Sequence, residues 1–238
     1  MNKIVEFKDK VLENVGKVII GKDTEIELLL VAFLSEGHIL LEDLPGMGKT
    51  MMVRSFSKTL DLPFKRIQFT PDLLPGDVTG VSFYNQKERE FEFREGPLFS
   101  NIILADEINR ATPRTQSALL EAMEERQITV DGKTRKLKRP FMVLATQNPV
   151  ESYGTFPLPE AQMDRFLMRI KIGYPNKEEE RIILLNTLNQ VLEKLSSVAN
   201  EKSIFEIMDE IQKVTIHDDV MDYLLDLVRS TREAEDII

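Results

Sequence analysis

The sequence predicts an α/β protein in which a parallel β-sheet is covered by helices on both faces and followed by a small all-helical region. Three observations carry this. Five short apolar runs, at 38–43, 64–69, 101–106, 141–148 and 166–173, alternate with helical or irregular stretches, the pattern of βαβ units rather than of hairpins. The first run passes into a glycine-containing turn and then a helix. Beyond residue 174 the strand-like runs stop and only helical periodicity remains, which divides the chain into an α/β domain at 1–174 and a helical domain at 175–238.

The elements follow in order. Ile4, Phe7, Val11, Leu12 and Val15 recur at helical spacing, and Asp23-Thr24 with Glu27 forms a capping signal for a second helix through Glu36. His38 opens the first strand and 51–60 reads as the helix after the turn. Strands at 64–69 and 101–106, a helix at 113–126, and strands at 141–148 and 166–173 complete the alternation. Two stretches depart from it. Residues 81–85 and 90–94 flank a polar tetrapeptide as a hairpin, and 127–130 pairs with the run after Asp131-Gly132 as another. Asn176 with Glu179 caps a helix through Leu195, and 204–214 and 220–228 are helical.

Bulk numbers narrow the chemistry. With 42% hydrophobic and 30% charged residues among 238, the chain can bury a full core. It has no cysteine and two histidines, His38 and His217, far apart. Disulfides and a zinc site are excluded on that inventory, and a reducing, cytoplasmic location is expected. The longest apolar run, 28–34, is too short to span a membrane. A net charge of −9 argues against nonspecific nucleic-acid binding over the whole surface.

The turn after the first strand reads Asp43-Leu44-Pro45-Gly46-Met47-Gly48-Lys49-Thr50. It matches a phosphate-cradling loop except at Asp43, which stands where that pattern opens with glycine. Gly46 and Gly48 permit a turn that exposes backbone N–H groups, Lys49 supplies an ammonium for phosphate, and the Thr50 hydroxyl is suited to Mg²⁺. A buried strand then delivers Asp106 and Glu107 at its C-terminal end, where ligands bind in open α/β sheets. Asp106 is expected in the Mg²⁺ shell and Glu107 as the base for the water attacking the γ-phosphate. Asn148, at another strand end, is placed to hydrogen-bond that water or the γ-phosphate. Arg165 precedes the last strand and has the planar cation suited to a transferring phosphate, supplied from a neighbouring subunit. Taken alone, it reads first as a salt-bridging surface residue.

Together, residues 41–50, 66–75, 106–110, 115–124, 145–149 and 158–166 resemble the MoxR family of AAA+ ATPases. The resemblance runs from about Val18 to the end, and Asp43 is unremarkable within it. It implies a five-stranded sheet ordered 5-1-4-3-2, with the hairpins as the helix-2 insertion and pre-sensor hairpin, Asn148 as sensor 1 and Arg165 as the arginine finger. The expected ATP contacts are Ile20, Gly21, Asp43, Leu44, Pro45, Gly46, Met47, Gly48, Lys49, Thr50 and Met51, with Mg²⁺ at Thr50 and Asp106. It further implies a hexameric ring, chaperone-like work on a protein client, and a von Willebrand factor A partner. One departure is expected to matter. The family's Gly-Ala-Ser-Pro-Arg segment, which bears the sensor 2 arginine, has no counterpart before Ile238, and Arg229 and Arg232 do not match it. A truncated lid is therefore expected, with the apolar face of Val220, Leu224, Leu227 and Val228 partly exposed.

Two alternatives stand beside ATP-driven remodelling. One is a nucleotide-gated binding module with little turnover. The other is a nucleic-acid motor, suggested by Lys133, Arg135, Lys136, Lys138 and Arg139, although that run lacks interleaved aromatics.

Overall fold

The computed structural model describes residues 2–42, 46–147, 154–186, 192 and 195–233. Asp43, Leu44, Pro45 and Asn148, all expected at the site, lie outside the described residues.

Helices α1 (Asn2–Gly16) and α2 (Asp23–Leu34) precede strand β1 (Ile39–Glu42), which leads to α3 (Lys49–Thr59) and β2 (Phe64–Gln68). A short α4 (Pro75–Thr79) introduces the hairpin β3 (Gly80–Asn85) and β4 (Glu90–Glu95). Then come β5 (Ile102–Asp106), α5 (Pro113–Glu125), the hairpin β6 (Gln127–Val130) and β7 (Lys133–Lys136), and β8 (Met142–Gln147). The chain continues through α6 (Glu160–Met163), β9 (Met168–Ile170), α7 (Lys177–Asn186), α8 (Glu201–Gln212) and α9 (Asp218–Glu233).

The five-stranded sheet runs β2-β5-β8-β1-β9, with every pairing parallel. In the order of its own strands this is 5-1-4-3-2 read from the other edge, as expected. Side-chain alternation shows why the strands read as continuous apolar runs. Ile102 and Leu104 of β5 and Met142 and Leu144 of β8 enter one core layer with α1, α2 and α3. Their neighbours Ile103, Ala105, Val143 and Ala145 enter the opposite layer with Leu119, Leu120 and Met123 of α5. In β5 and β8 both faces are buried, so no polar position recurs with period two.

Several boundaries differ from expectation for local reasons. The expected cap on α2 does not form: Lys22 is the N-cap and makes no side-chain cap bond. That helix stops at Leu34 because Glu36 adopts φ 53° and turns the chain into β1. Helix α3 begins at Lys49, two residues earlier than expected, directly after the left-handed Gly48. β9 is confined to Met168–Ile170, and Phe166 packs into the α5 layer. By contrast, Asn176 caps α7 as expected, its side-chain oxygen accepting from the Glu178 and Glu179 N–H groups at 3.0 Å each. Leu195, expected in that helix, is buried outside any helix.

Of the region expected as a helical domain, α8 shares the core of the α/β domain. Ile204, Ile207 and Met208 are buried in the layer formed with α1 and α2. Helix α9 contributes no buried residue, and Val220, Leu224, Leu227 and Val228 are all exposed on it. The segment leading into α8 is tied to the far end of α3. The buried Asn14 amide donates to Thr59 Oγ1 and to the Ser196 carbonyl, both at 2.8 Å, and the Val198 N–H donates to the Thr59 carbonyl at 2.9 Å. Lys58 Nζ donates to the Leu192 carbonyl at 2.7 Å.

His38 is a core residue. Its Nδ1 accepts from the Val143 N–H at 3.0 Å, which leaves Nε2 as donor to the Met123 carbonyl at 3.1 Å. Burial, opposed by the Met123 hydrogen bond and aided by the Arg126 charge, lowers its pKa from 6.5 to about 4, so the ring is neutral. Beside it, Glu36 is held below the ordinary carboxylate range. Its burial acts upward, but hydrogen bonds from Arg139 and Arg126 outweigh that.

Candidate functional site

The loop after β1 converges with the C-terminal ends of β5 and β8. Gly46 and Gly48 have φ of 85° and 76°, and a Cβ at either would meet nothing within 4 Å. They are therefore required for the left-handed backbone, which costs other residues about 1–2 kcal/mol, and not for close packing. Gly48 is the N-cap of α3 and makes no side-chain cap bond, and the positive end of that helix's dipole lies at the turn, where it favours an anion.

A cavity of about 420 Å³ opens over this turn. Gly46, Met47, Gly48, Lys49, Thr50 and Met51 all line it, together with Asp106 and Glu107. Arg54, Arg66, Thr146 and Gln147 complete the lining. Three cationic side chains thus face two carboxylates, a balance suited to a polyanion. A second cleft of about 330 Å³ shares Gly46, Met47, Gly48 and Met51 with the first and continues over Val18, Ile20, Met52, Ile172 and Tyr174. Its aliphatic walls suit a planar base, while the first cavity suits phosphates. Ile20 lines this cleft. Gly21, with φ 71°, is not among the residues lining either cavity, and a Cβ on it would collide with the Glu179 carboxylate.

The acidic pair is held by Arg110, three residues beyond Glu107, and by Arg66, Gln68 and Thr146, each 39 or 40 residues away. Asp106 Oδ1 accepts from the Thr146 hydroxyl at 2.6 Å. Its Oδ2 accepts from Arg66 Nε at 3.1 Å and Nη2 at 2.7 Å. Glu107 sits at φ 56°, ψ 52°, a left-handed conformation that costs a non-glycine residue on the order of 1 kcal/mol. It is secured by its own N–H donating to Thr146 Oγ1 at 2.8 Å. Glu107 Oε2 accepts from Gln68 Nε2 at 3.0 Å and Arg110 Nη1 at 3.1 Å. The parallel register sets Gln68 against Asp106, which brings the end of β2 into the site. An oxygen-only set of the Thr50 hydroxyl and the Asp106 carboxylate on one cavity fits Mg²⁺, which takes few protein ligands and completes its shell with phosphate and water.

Arg165 is not brought to this cavity. Its Nη2 pairs with Glu124 Oε2 at 2.7 Å near the end of α5. Arg229 and Arg232 lie on the exposed α9. The basic run is partly engaged: Arg135 lies 3.8 Å over the Phe93 ring and joins the two hairpins, while Arg139 is committed to Glu36. This weakens the nucleic-acid reading. Arg66, Gln68 and Thr146 were missed as site residues. The available signal was two long polar side chains, at i and i+2, in a short strand otherwise destined for the sheet.

Comparison with known proteins agrees with this geometry. Residues 38–168 match the ATPase family associated with various cellular activities (AAA). The uncharacterised protein YeaC of Bacillus subtilis is 53% identical over 94% of this chain, and chaperone MoxR1 of Mycobacterium tuberculosis is 41% identical over 98%. This chain spans 70% and 62% of those relatives, respectively. A crystal structure from Cytophaga hutchinsonii, described as that of a candidate ATPase, superposes with a TM-score of 0.88 at 46% identity, covering 97% of this chain and 71% of that one. With the sheet order, the phosphate-type loop and the acidic strand end already in place, these matches show that the chain belongs to the MoxR family of AAA ATPases.

Proposed function

We infer that the chain binds and hydrolyses Mg·ATP and uses the cycle to remodel a client protein. The observation that carries this is the convergence of residues 46–51 with Asp106 and Glu107 on one cavity, continuous with an apolar cleft. The backbone of the turn and Lys49 hold the phosphates, and the apolar cleft takes the base. Thr50 and Asp106 would hold Mg²⁺, which would neutralise charge on the phosphates. Glu107 accepts the proton of the attacking water. Its carboxylate is already oriented through Oε2 by Gln68 and Arg110, which leaves the second oxygen to face the reacting centre. Asn148 assists that water, and Arg165 acts on the site of a neighbouring subunit in a hexameric ring. The pairing of Arg165 with an exposed Glu124 instead of a group in its own cavity is what supports action in trans.

The chaperone designation of a 41% identical relative supports the client. Cytoplasmic action, metal-cofactor insertion into the client and a von Willebrand factor A partner belong to the same proposal. The two hydrogen bonds on Glu107 also favour a second reading, a nucleotide-gated binder with slow turnover. Measuring ATP affinity and phosphate release together, in the wild type and in Lys49→Ala, separates them. Tight binding that survives Lys49→Ala would refute the site, whereas binding without release would favour the gated binder.

A further inference from the structure

This inference rests on the nucleotide reading above and concerns Arg66, whose position no role in that reading explains. β2 is an edge strand of the sheet, and Arg66 and Gln68 project from the same side of it, towards the end of β5. The Arg66 guanidinium places two N–H donors on a single oxygen, Asp106 Oδ2, and donates a further bond from Nη2 to Gln68 Oε1 at 2.8 Å. Since the Thr146 hydroxyl takes Oδ1, both oxygens of the metal-side carboxylate are engaged. A divalent cation reaching Asp106 therefore meets an oxygen already bonded to a cation, and two positive charges a few ångströms apart on one carboxylate repel.

The two partners differ in freedom. The Asp106 side chain is 14% exposed and anchored by Thr146, whereas that of Arg66 is 48% exposed. Arg66 also lines the cavity that holds Lys49 and Thr50, the one read above as the phosphate site. A planar guanidinium binds carboxylate and phosphate oxygens by the same paired geometry.

We propose that Arg66 is a latch on the metal site: it holds Asp106 when no divalent cation is present and exchanges that carboxylate for the nucleotide's phosphates when Mg²⁺ arrives. Mg²⁺ then competes with a cation built into the fold. The concentration of Mg²⁺ needed to support nucleotide binding is set by this competition as well as by the metal's own ligands. The residue is a positioning residue for the site, acting through Asp106.

The test is titration of a fluorescent ATP analogue onto the chain at a series of free Mg²⁺ concentrations, for the wild type, Arg66→Met and Arg66→Lys. Arg66→Met keeps a long stem and removes the charge, so the Mg²⁺ concentration for half-maximal binding should fall about three- to tenfold, the range of an ordinary net hydrogen bond, because the exposure of Arg66 to water weakens its ion pair. Arg66→Lys keeps the charge but not the paired donors and should fall between. An unchanged or higher half-point in Arg66→Met overturns the latch, as does loss of analogue binding at every Mg²⁺ concentration in a variant whose thermal melt without nucleotide matches the wild type. Failure of the wild type itself to bind the analogue overturns the nucleotide reading and the latch with it.

Discussion

Acidification should destabilise the fold through one ring. His38 is 5% exposed, and its pKa of about 4 lies well below the ordinary 6.5. Protonation would place a hydrogen on Nδ1, which faces the Val143 N–H at 3.0 Å, so the native fold resists it. Because the unfolded chain takes up this proton more readily, the stability contributed by the neutral ring is fully present above about pH 6.5. It is lost progressively as the pH falls towards 4. At ~1.36 kcal/mol per pH unit the ceiling is about 3 kcal/mol, of which about 2 kcal/mol is lost by pH 5. Urea denaturation followed by far-UV circular dichroism at pH 7.5 and pH 5 reads this as a midpoint lowered by on the order of 1 M. His38→Asn, which keeps an acceptor for Val143 and does not titrate, should be weaker at pH 7.5 and lack this component of the acid slope. An equal loss between pH 7.5 and pH 5 in wild type and variant would refute the assignment and place the proton uptake elsewhere.

Three further outcomes are expected. Glu107→Gln should bind ATP with unchanged affinity and release phosphate about 10²–10⁴-fold more slowly, the range of a lost general base; parallel losses of both would mean that the carboxylate is structural. Ile204→Ala, at a fully buried position of α8, should cost about 2–4 kcal/mol in chemical denaturation. A cost below about 0.5 kcal/mol, typical of a surface position, would show that α8 does not belong to the α1–α2 core. Arg165→Ala should retain nucleotide binding yet lose turnover, and mixing it with Lys49→Ala should restore part of the rate, because the intact site of one subunit receives its arginine from the other; no rescue in verified mixed rings would place Arg165 in cis.

Much of the architecture was legible because it depends on local patterns. Buried parallel strands must be apolar on both faces, so 101–106 and 141–148 declared themselves, and the turn at 46–50 could be read from which residues tolerate its backbone. What escaped depended on contacts across long separations. Nothing near Asp23 reveals that its side chain will leave the cap of α2 unmade. The embrace of Asp106 by Arg66, forty positions away, follows from sheet register and not from spacing. The same holds for α8, whose apolar stripe announced a helix but not which helices would cover it.

Helix α3 starts at the phosphate-type turn and finishes at Thr59, the residue gripped by Asn14 and Val198. Eleven residues at ~1.5 Å each make it a rod of about 16 Å. A hydrogen-bonded helix shortens or stretches little, so the phosphate-type turn and the Thr59 end of α3 are held at a fixed separation. At that end Lys58 donates to the Leu192 carbonyl and the Thr59 carbonyl accepts from the Val198 N–H, while Asn14 of α1 joins Thr59 to the Ser196 carbonyl in the stretch that leads into α8. The candidate site at one tip and the anchorage of the segment leading into α8 at the other are thus the two ends of one stiff element, whose middle is packed into the core at Val53 and Phe56.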